Sequence, residues 1–461
     1  MTDLRSSKLQ AFGTASIPKL VLMFSVPAII SMCVNAFYNI VDRYFVGQGV
    51  GALGIAGITL CFPIMLFIMA MSMIVGMGGN TLFAIRLGEK KYLQASIILN
   101  NAFVLLIAMA AGTFALGEIF MEPLLRLFGA SDQTLPVATS YMRIILLGAI
   151  FQTIAPGMNH FIRSMGHPKT AMLRDIVGAL TNVFLDWIFI IKLHWGIEGA
   201  AWATLISQFV SSLLIMQFFI KKSTPIKINR RHMRLRLPYV RKIYILGFPP
   251  AIMQICNSLM NAILAWSLAS YGNKSLQATT SMTGGDIAIS AFGIINSIVS
   301  IAVMPLIGFV HGTQPILGYN YGAKLFDRVR GTVKFAYIYS IAFMLVAWGL
   351  LQWKAEVFVA PFAPGDTYMQ SVSAWGMRLF TKAFLFIPLG MVAGSFFQGT
   401  GKAGLSMFLN ACRQVIILIP FLLVLPQFFD LQGVFMAQPM ADIGAGVIGI
   451  LLLRWQFKKM R

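Results

Sequence analysis

Two carboxylates stand in apolar stretches where charge is expensive. Asp42 follows Pro27-Ala-Ile-Ile-Ser-Met-Cys-Val-Asn35-Ala-Phe-Tyr-Asn39-Ile-Val, and Asp186 closes Leu180-Thr-Asn182-Val-Phe-Leu. On a helix, Asn35, Asn39 and Asp42 are spaced i, i+4, i+7 and share a face; Asn182 and Asp186, four apart, do likewise. An ionisable group inside a membrane-length apolar run marks a functional site by default. A carboxylate withdrawn from water takes up a proton more readily than a solvated one. Uptake from outside and release to the cytoplasm would couple a downhill proton to a conformational switch. A dehydrated Na⁺ competes for the same place, since it wants several oxygen ligands, and Asp42, Asp186, Asn182 and Thr204 could supply them. The residues leave the choice of ion open. A packing-only role, with Asp42 paired to Arg43, is disfavoured because adjacent residues do not face each other on a helix.

The elements that must hold these acids are helices in a bilayer. Of 461 residues, 58% are hydrophobic and only 11% charged, where a soluble chain would carry about a quarter. Apolar runs of roughly 20 residues recur along the whole length. The expected fold is an all-α polytopic membrane protein with twelve transmembrane helices, at about 17–46, 52–84, 93–117, 136–162, 170–193, 198–220, 243–271, 285–315, 332–354, 370–397, 404–426 and 433–457. No cleavable apolar core precedes the first span, which should itself direct insertion. Cys33, Cys61, Cys256 and Cys412 all lie in apolar segments without metal spacing and read as buried thiols. None of the five histidines forms a metal-spaced pair, and His232, in a basic stretch, reads as solvated. His-Glu-x-x-His, Gly-x-Ser-x-Gly and phosphate-loop motifs are absent. The chain is not expected to be an enzyme, nor to need a cofactor beyond a coupling ion.

The net charge of +21 reports topology. Lys221–Lys242 holds nine Lys/Arg and no acid, and Arg86, Lys90, Lys91, Lys324, Arg328, Lys402, Lys458 and Lys459 fall on the same side. Glu118, Glu122, Asp132, Glu356, Asp366 and Asp430 fall on the other. By the positive-inside rule the basic side, with both termini, is cytoplasmic. No nucleic-acid partner is implied.

The chain also repeats itself. Gly88-Glu-Lys-Lys matches Gly322-Ala-Lys-Leu at an offset of 234, Arg143 matches Arg378 at 235, and Asn35 and Asn39 match Asn257 and Asn261 at 222. Two pseudo-symmetric six-helix lobes follow: 1–220, the N-lobe with the coupling-ion site; 221–242, a basic cytoplasmic connector; and 243–461, the C-lobe. Such repeats are typical of transporters that rock about a central site. The asparagines and the Arg143/Arg378 pair, present in both halves, read as scaffold, the arginines snorkelling near helix ends. Asp42 and Asp186 have Leu264 and Phe421 as counterparts, so the acids belong to one lobe. Each lies roughly 24 Å from the cytoplasmic end of its helix. In the second half, Arg413 and Asp442 sit at compatible depths for pairing, and Lys382 has no evident partner. Pro27, near the acid of the first span, is the expected hinge.

Tyr38-Asn39-Ile-Val-Asp42-Arg43-Tyr-Phe-Val-Gly47, Gly199-Ala-Ala-Trp-Ala-Thr204 and Gly312-Thr-Gln314-Pro315-Ile-Leu-Gly-Tyr-Asn320-Tyr-Gly322 resemble the multidrug and toxic compound extrusion (MATE) transporters, in their bacterial MepA-like branch. The resemblance covers essentially the whole chain. It implies a twelve-helix antiporter in the bacterial inner membrane that exports organic cations and drugs against inward H⁺ or Na⁺. Its cation and substrate network maps onto Asp42, Asn159, Asn182, Asp186 and Thr204, to which the polar face adds Asn35 and Asn39. Trp187 stands where many members have proline, and Asn257 where some Na⁺-coupled members have glutamate. The expected partners are small organic cations and the lipid bilayer, with the protein a monomer. The alternative is a flippase for a lipid-linked saccharide, kept open by Lys382 and Arg413.

Overall fold

The computed structural model describes residues 11–128, 130–221, 224–278 and 283–460, and all regular structure among them is helical. After a short helical turn at 11–14, α1 (Ile17–Gly88) carries two apolar stretches, Ile17–Tyr38 and Leu60–Gly88. α2 is Tyr92–Leu127. α3 (Thr134–Leu147) and α4 (Ala149–Ser164) meet at Gly148 with a bend of 52°. α5 (Pro168–Asp186) passes into a π-helical turn, Trp187–Lys192, before α6 (Gly196–Ile220). The second half repeats the plan with α7 (Leu237–Ser275), α8 (Gly284–Gly322), α9 (Phe326–Trp353) and the short α10 (Ala355–Val359). α11 (Thr367–Phe380) and α12 (Ile387–Gly399) belong to a span bent by 40°. α13 (Ala403–Ala411) continues through a second π-turn, Cys412–Ile417, into α14 (Leu418–Lys459).

The twelve spans can be counted from these helices. Seven helical runs are individually long and apolar enough to cross a bilayer, and each bent pair adds one. α5, diluted by charged residues, and α7, whose stretch 243–273 carries no charge, add two more. The last comes from the run Ala403–Lys459, which folds back at Asp430 (φ 47°, ψ −133°).

The duplication extends to the backbone. Lys90 (φ 60°) pairs with Lys324 (φ 58°), Gly166 (φ 83°) with Gly401 (φ 78°), and Gly196 (φ 60°) with Asp430 (φ 47°), at offsets of 234 or 235. These left-handed residues turn the chain where a right-handed helix must stop. They also set the helix ends: α1 and α8 run on to Gly88 and Gly322, past the expected ends near 84 and 315.

The chain divides into two compact units, Met1–Ala251 with Pro315–Leu325, and Ile252–Gln314 with Phe326–Arg461. Unit 1 has an apolar core around Ile68, Tyr141, Met142, Ile145 and Ile190. It also contains two backbone-to-backbone crossings. A Cβ on Gly78 would meet the Ile243 carbonyl and Gly247, and one on Gly88 or Gly322 would meet the carbonyl of Tyr319 or Ile85. Asn320 ties the same region to the chain start, its Nδ2 donating to the Phe12 carbonyl at 3.1 Å. In unit 2, Ile287, Ala291, Met369 and Val372 form an apolar cluster, and the Tyr337 hydroxyl donates to the Leu389 carbonyl at 3.0 Å.

Two expectations change here. His232 is not simply solvated: its Nδ1 lies 2.8 Å from Ser96 Oγ. The basic connector is strapped to α2 by buried asparagines: Asn100 Oδ1 accepts from Asn229 N at 2.7 Å, and Asn101 Oδ1 from Arg236 N at 2.8 Å. Arg378 is anchored by Glu356 at 2.7 Å rather than merely snorkelling, whereas the exposed Arg143 reaches Glu118 only at 4.0 Å.

Candidate functional site

Asp186 is the last residue of α5, and the π-turn begins at Trp187. A π-turn inserts an extra residue and redirects the side chains beside it, which is where this sequence departs from the usual proline. The Asp186 side chain is fully buried, and among the described residues neither of its oxygens has a protein donor. The group within hydrogen-bonding reach is the carboxyl of Asp42, from the half-buried face of α1. Two ionised carboxylates are both acceptors and repel; they bond only through a proton. One positive charge shared between two such carboxyls, a proton or a monovalent cation, would hold them together.

The surroundings fit either. Tyr38, one turn before Asp42, and the buried Tyr141 of α3 are within electrostatic range of both acids. Asn182, one turn before Asp186, is buried, and its Nδ2 donates to Thr204 Oγ1 of α6 at 3.5 Å. Its Oδ1 is buried without a partner. The two oxygens of Asp186 and this amide oxygen are thus orphaned acceptors, as expected where water or a cation completes a shell. Among the described residues no three His, Cys, Asp or Glu converge.

A cavity of about 40 Å³ is lined by Asn35, Tyr38, Asp175, Asn182, Ser207 and Ser211. It has room for water and not for a drug. Asn35 lines it while donating from Nδ2 to the Ser31 carbonyl at 3.0 Å. The side chain of Asn39 lies outside the described residues.

Asn159 belongs to a different group. Its Nδ2 lies 3.3 Å from both oxygens of Asp175, which also accepts from Arg163 Nη2 at 3.2 Å and pairs with Arg174. All four side chains are largely buried. Asp175 went unremarked in the sequence, although a signal was present. Asp175, Asn182 and Asp186 are spaced i, i+7, i+11 on α5 and share a face, from which Asp175 and Asn182 line the water-sized cavity.

In unit 2, Arg413 and Asp442 pair at 2.6 Å. Lys382 is exposed in the break between α11 and α12 and does not line the cavity that contains this pair, so the two cations do not form one anion site. The repeated asparagines are engaged in scaffold contacts: Gln414 Nε2 donates to Asn257 Oδ1 at 2.5 Å, and Asn261 Nδ2 to the Asn257 carbonyl at 2.9 Å.

Comparison with known proteins finds both halves. The MatE family model matches residues 27–188 and 249–424. The chain is 25% identical over 452 residues to the multidrug export protein MepA of Staphylococcus saprophyticus, covering 98% of this chain and 96% of that one. It is 23% identical over 450 residues to MepA of Staphylococcus aureus, with the same coverage. Among solved structures it resembles the outward-facing conformation of a multidrug resistance MATE family transporter, with a TM-score of 0.90, 23% identity and 98% of each chain covered. A MOP superfamily transporter from Pyrococcus furiosus, whose binding pocket is reported with reverse polarity, superposes with a TM-score of 0.89 at 23% identity, again over 98% of each chain.

Proposed function

The chain belongs to the MatE family of membrane transporters, and from that premise we propose that it is a secondary antiporter. It exports amphipathic, often cationic, small molecules from bacterial cytoplasm in exchange for inward H⁺ or Na⁺. The observation that carries this reading is the Asp42–Asp186 pair, two carboxyls in hydrogen-bonding reach with no protein donor on Asp186.

The coupling follows from electrostatics. With one positive charge at the pair, α1 and α5 hold their carboxyls together. Loss of that charge leaves two negative groups at close range in a weakly screening interior. The strain separates the helices and favours the alternative state, in which the pair reloads. Na⁺ is the second reading, supported by the orphaned Asn182 Oδ1 beside Asp186, with Thr204 one hydrogen bond away. Neither ion requires an enzyme-type cofactor. Residues 1–220 would then be the coupling lobe, 221–242 the cytoplasmic connector and 243–461 the second lobe of a monomer in the inner membrane with both termini inside.

The test is efflux of a fluorescent organic cation from vesicles carrying purified protein, driven separately by a proton and a Na⁺ gradient. Wild type should respond to one of them, while Asp42→Asn and Asp186→Asn should lose the response. Undiminished gradient-driven efflux in both variants refutes the coupling role.

A further inference from the structure

Unit 2 holds a cavity of about 190 Å³ whose polar wall is ionic, lined among others by Ser300, Phe380, Phe384, Arg413, Gln438 and Asp442. Arg413 Nε donates to Asp442 Oδ1 at 2.6 Å, and Gln438 Nε2 donates to the same oxygen at 3.3 Å. The Asp442 side chain is 2% exposed and that of Arg413 is 27% exposed. The carboxylate is thus held through one oxygen, and the guanidinium is anchored by its Nε edge. No protein acceptor on the Arg413 Nη atoms, and no donor on Asp442 Oδ2, is found among the described residues.

Two further observations set this pair apart from packing. Arg413 lies in the π-turn Cys412–Ile417, a distortion that often marks functional positions. At the repeat offsets of 235 and 234, Arg413 and Asp442 correspond to Gly178 and Gln208, and both of these line the water-sized cavity of unit 1. The same place in each half opens to a cavity, and in the second half the charged residues Arg413 and Asp442 stand where the first has the uncharged Gly178 and Gln208.

We propose that this cavity binds an aromatic zwitterion, its carboxylate on the Nη edge of Arg413, its ammonium at Asp442 and its ring against Phe380 and Phe384. The stoichiometry of charge selects this class. The ion pair is neutral, so a lone anion or cation would bring uncompensated charge into a poorly screened site, whereas a zwitterion brings none. A guanidinium with a free edge matches a carboxylate in two parallel hydrogen bonds. The volume suits a single ring with its polar head and is small for a whole amphiphilic drug. The proposal adds a second ligand site to the export reading and rests on it only for the site's use in transport.

Matched probes test it: radiolabelled phenylalanine as zwitterion, its methyl ester as cation, and 3-phenylpropionate as anion, each in equilibrium dialysis against the purified full-length protein. Phenylalanine should bind more tightly than the other two, and Arg413→Gln and Asp442→Asn should each weaken it by about tenfold or more. Because either variant leaves a buried charge unpaired, the double variant R413M/D442L, neutral and close in volume, serves as the folded control, checked by thermal unfolding and gel filtration. It should remain folded and lose phenylalanine binding. Equal binding of the three probes by wild type, or undiminished phenylalanine binding by the double variant, overturns the proposal. Cation efflux by the same wild-type preparation reports separately on the export reading, which stands or falls without this site.

Discussion

At the scale of residues, the molecule places acids in three settings with different consequences. Asp42 and Asp186 lie within hydrogen-bonding reach of each other, so neutralising either removes the repulsion that coupling would use. Gradient-driven efflux should fall by about tenfold or more in Asp42→Asn and in Asp186→Asn, read as initial rates in vesicles. Asp175 serves two arginines, Arg163 and Arg174. Asp175→Ala strands both cations in an interior that hydrates them poorly, and should cost about 3–5 kcal/mol, visible as a lowered unfolding midpoint in detergent. Asp430 is a third case, one of backbone: it adopts a conformation suited to glycine, and its counterpart in the first half is Gly196. Asp430→Gly should therefore stabilise the protein by about 0.5–1 kcal/mol, measured the same way.

At the scale of elements, unit 1 depends on helices that approach until backbones touch. Gly247 packs on the carbonyl of Ile74, and Gly322 on that of Ile85. A neighbouring side chain could swing away from an added methyl group, but a carbonyl within a hydrogen-bonded helix cannot. Gly247→Val and Gly322→Val should each cost about 1–3 kcal/mol or more, whereas Gly112→Val, with nothing within 4 Å of its Cβ, should be close to neutral. Thermal unfolding of the three variants side by side decides this. The connector behaves similarly, since Asn100 and Asn101 satisfy its backbone from α2. Each lobe also breaks its fourth span, at Gly148 and at Thr381–Ala383, and each inserts one π-turn in its fifth.

At the scale of the whole molecule, the duplication and the charge bias make one statement about topology. By the positive-inside rule the basic connector and the Lys90 and Lys324 turns are expected on the cytoplasmic side, and an even number of spans would bring both termini there. Reporter fusions active only in the cytoplasm should be active at either terminus and within 224–236, and inactive between α2 and α3. Much of this architecture was legible in the chain as written. Hydropathy marks the spans because an apolar run of bilayer length has few other places to go. Internal repetition divided the halves, and spacing along one helix put Asn182 with Asp186, since both signals are local or linear. Membership of Asp42 and Asp186 in one half also followed from the sequence, because it needs only alignment of the two repeats. What only the tertiary structure decided is which groups on different helices meet. Asn159 and Asp186 fit one motif, yet the fold delivers Asn159 to Asp175; Arg413 finds Asp442 across 29 residues, and Lys382 is left exposed. Such pairings depend on how each helix is rotated and broken, at π-turns and glycine crossings whose energies come from neighbours distant in the chain. Local spacing places an acid on a face of a helix, and packing determines which partner that face meets.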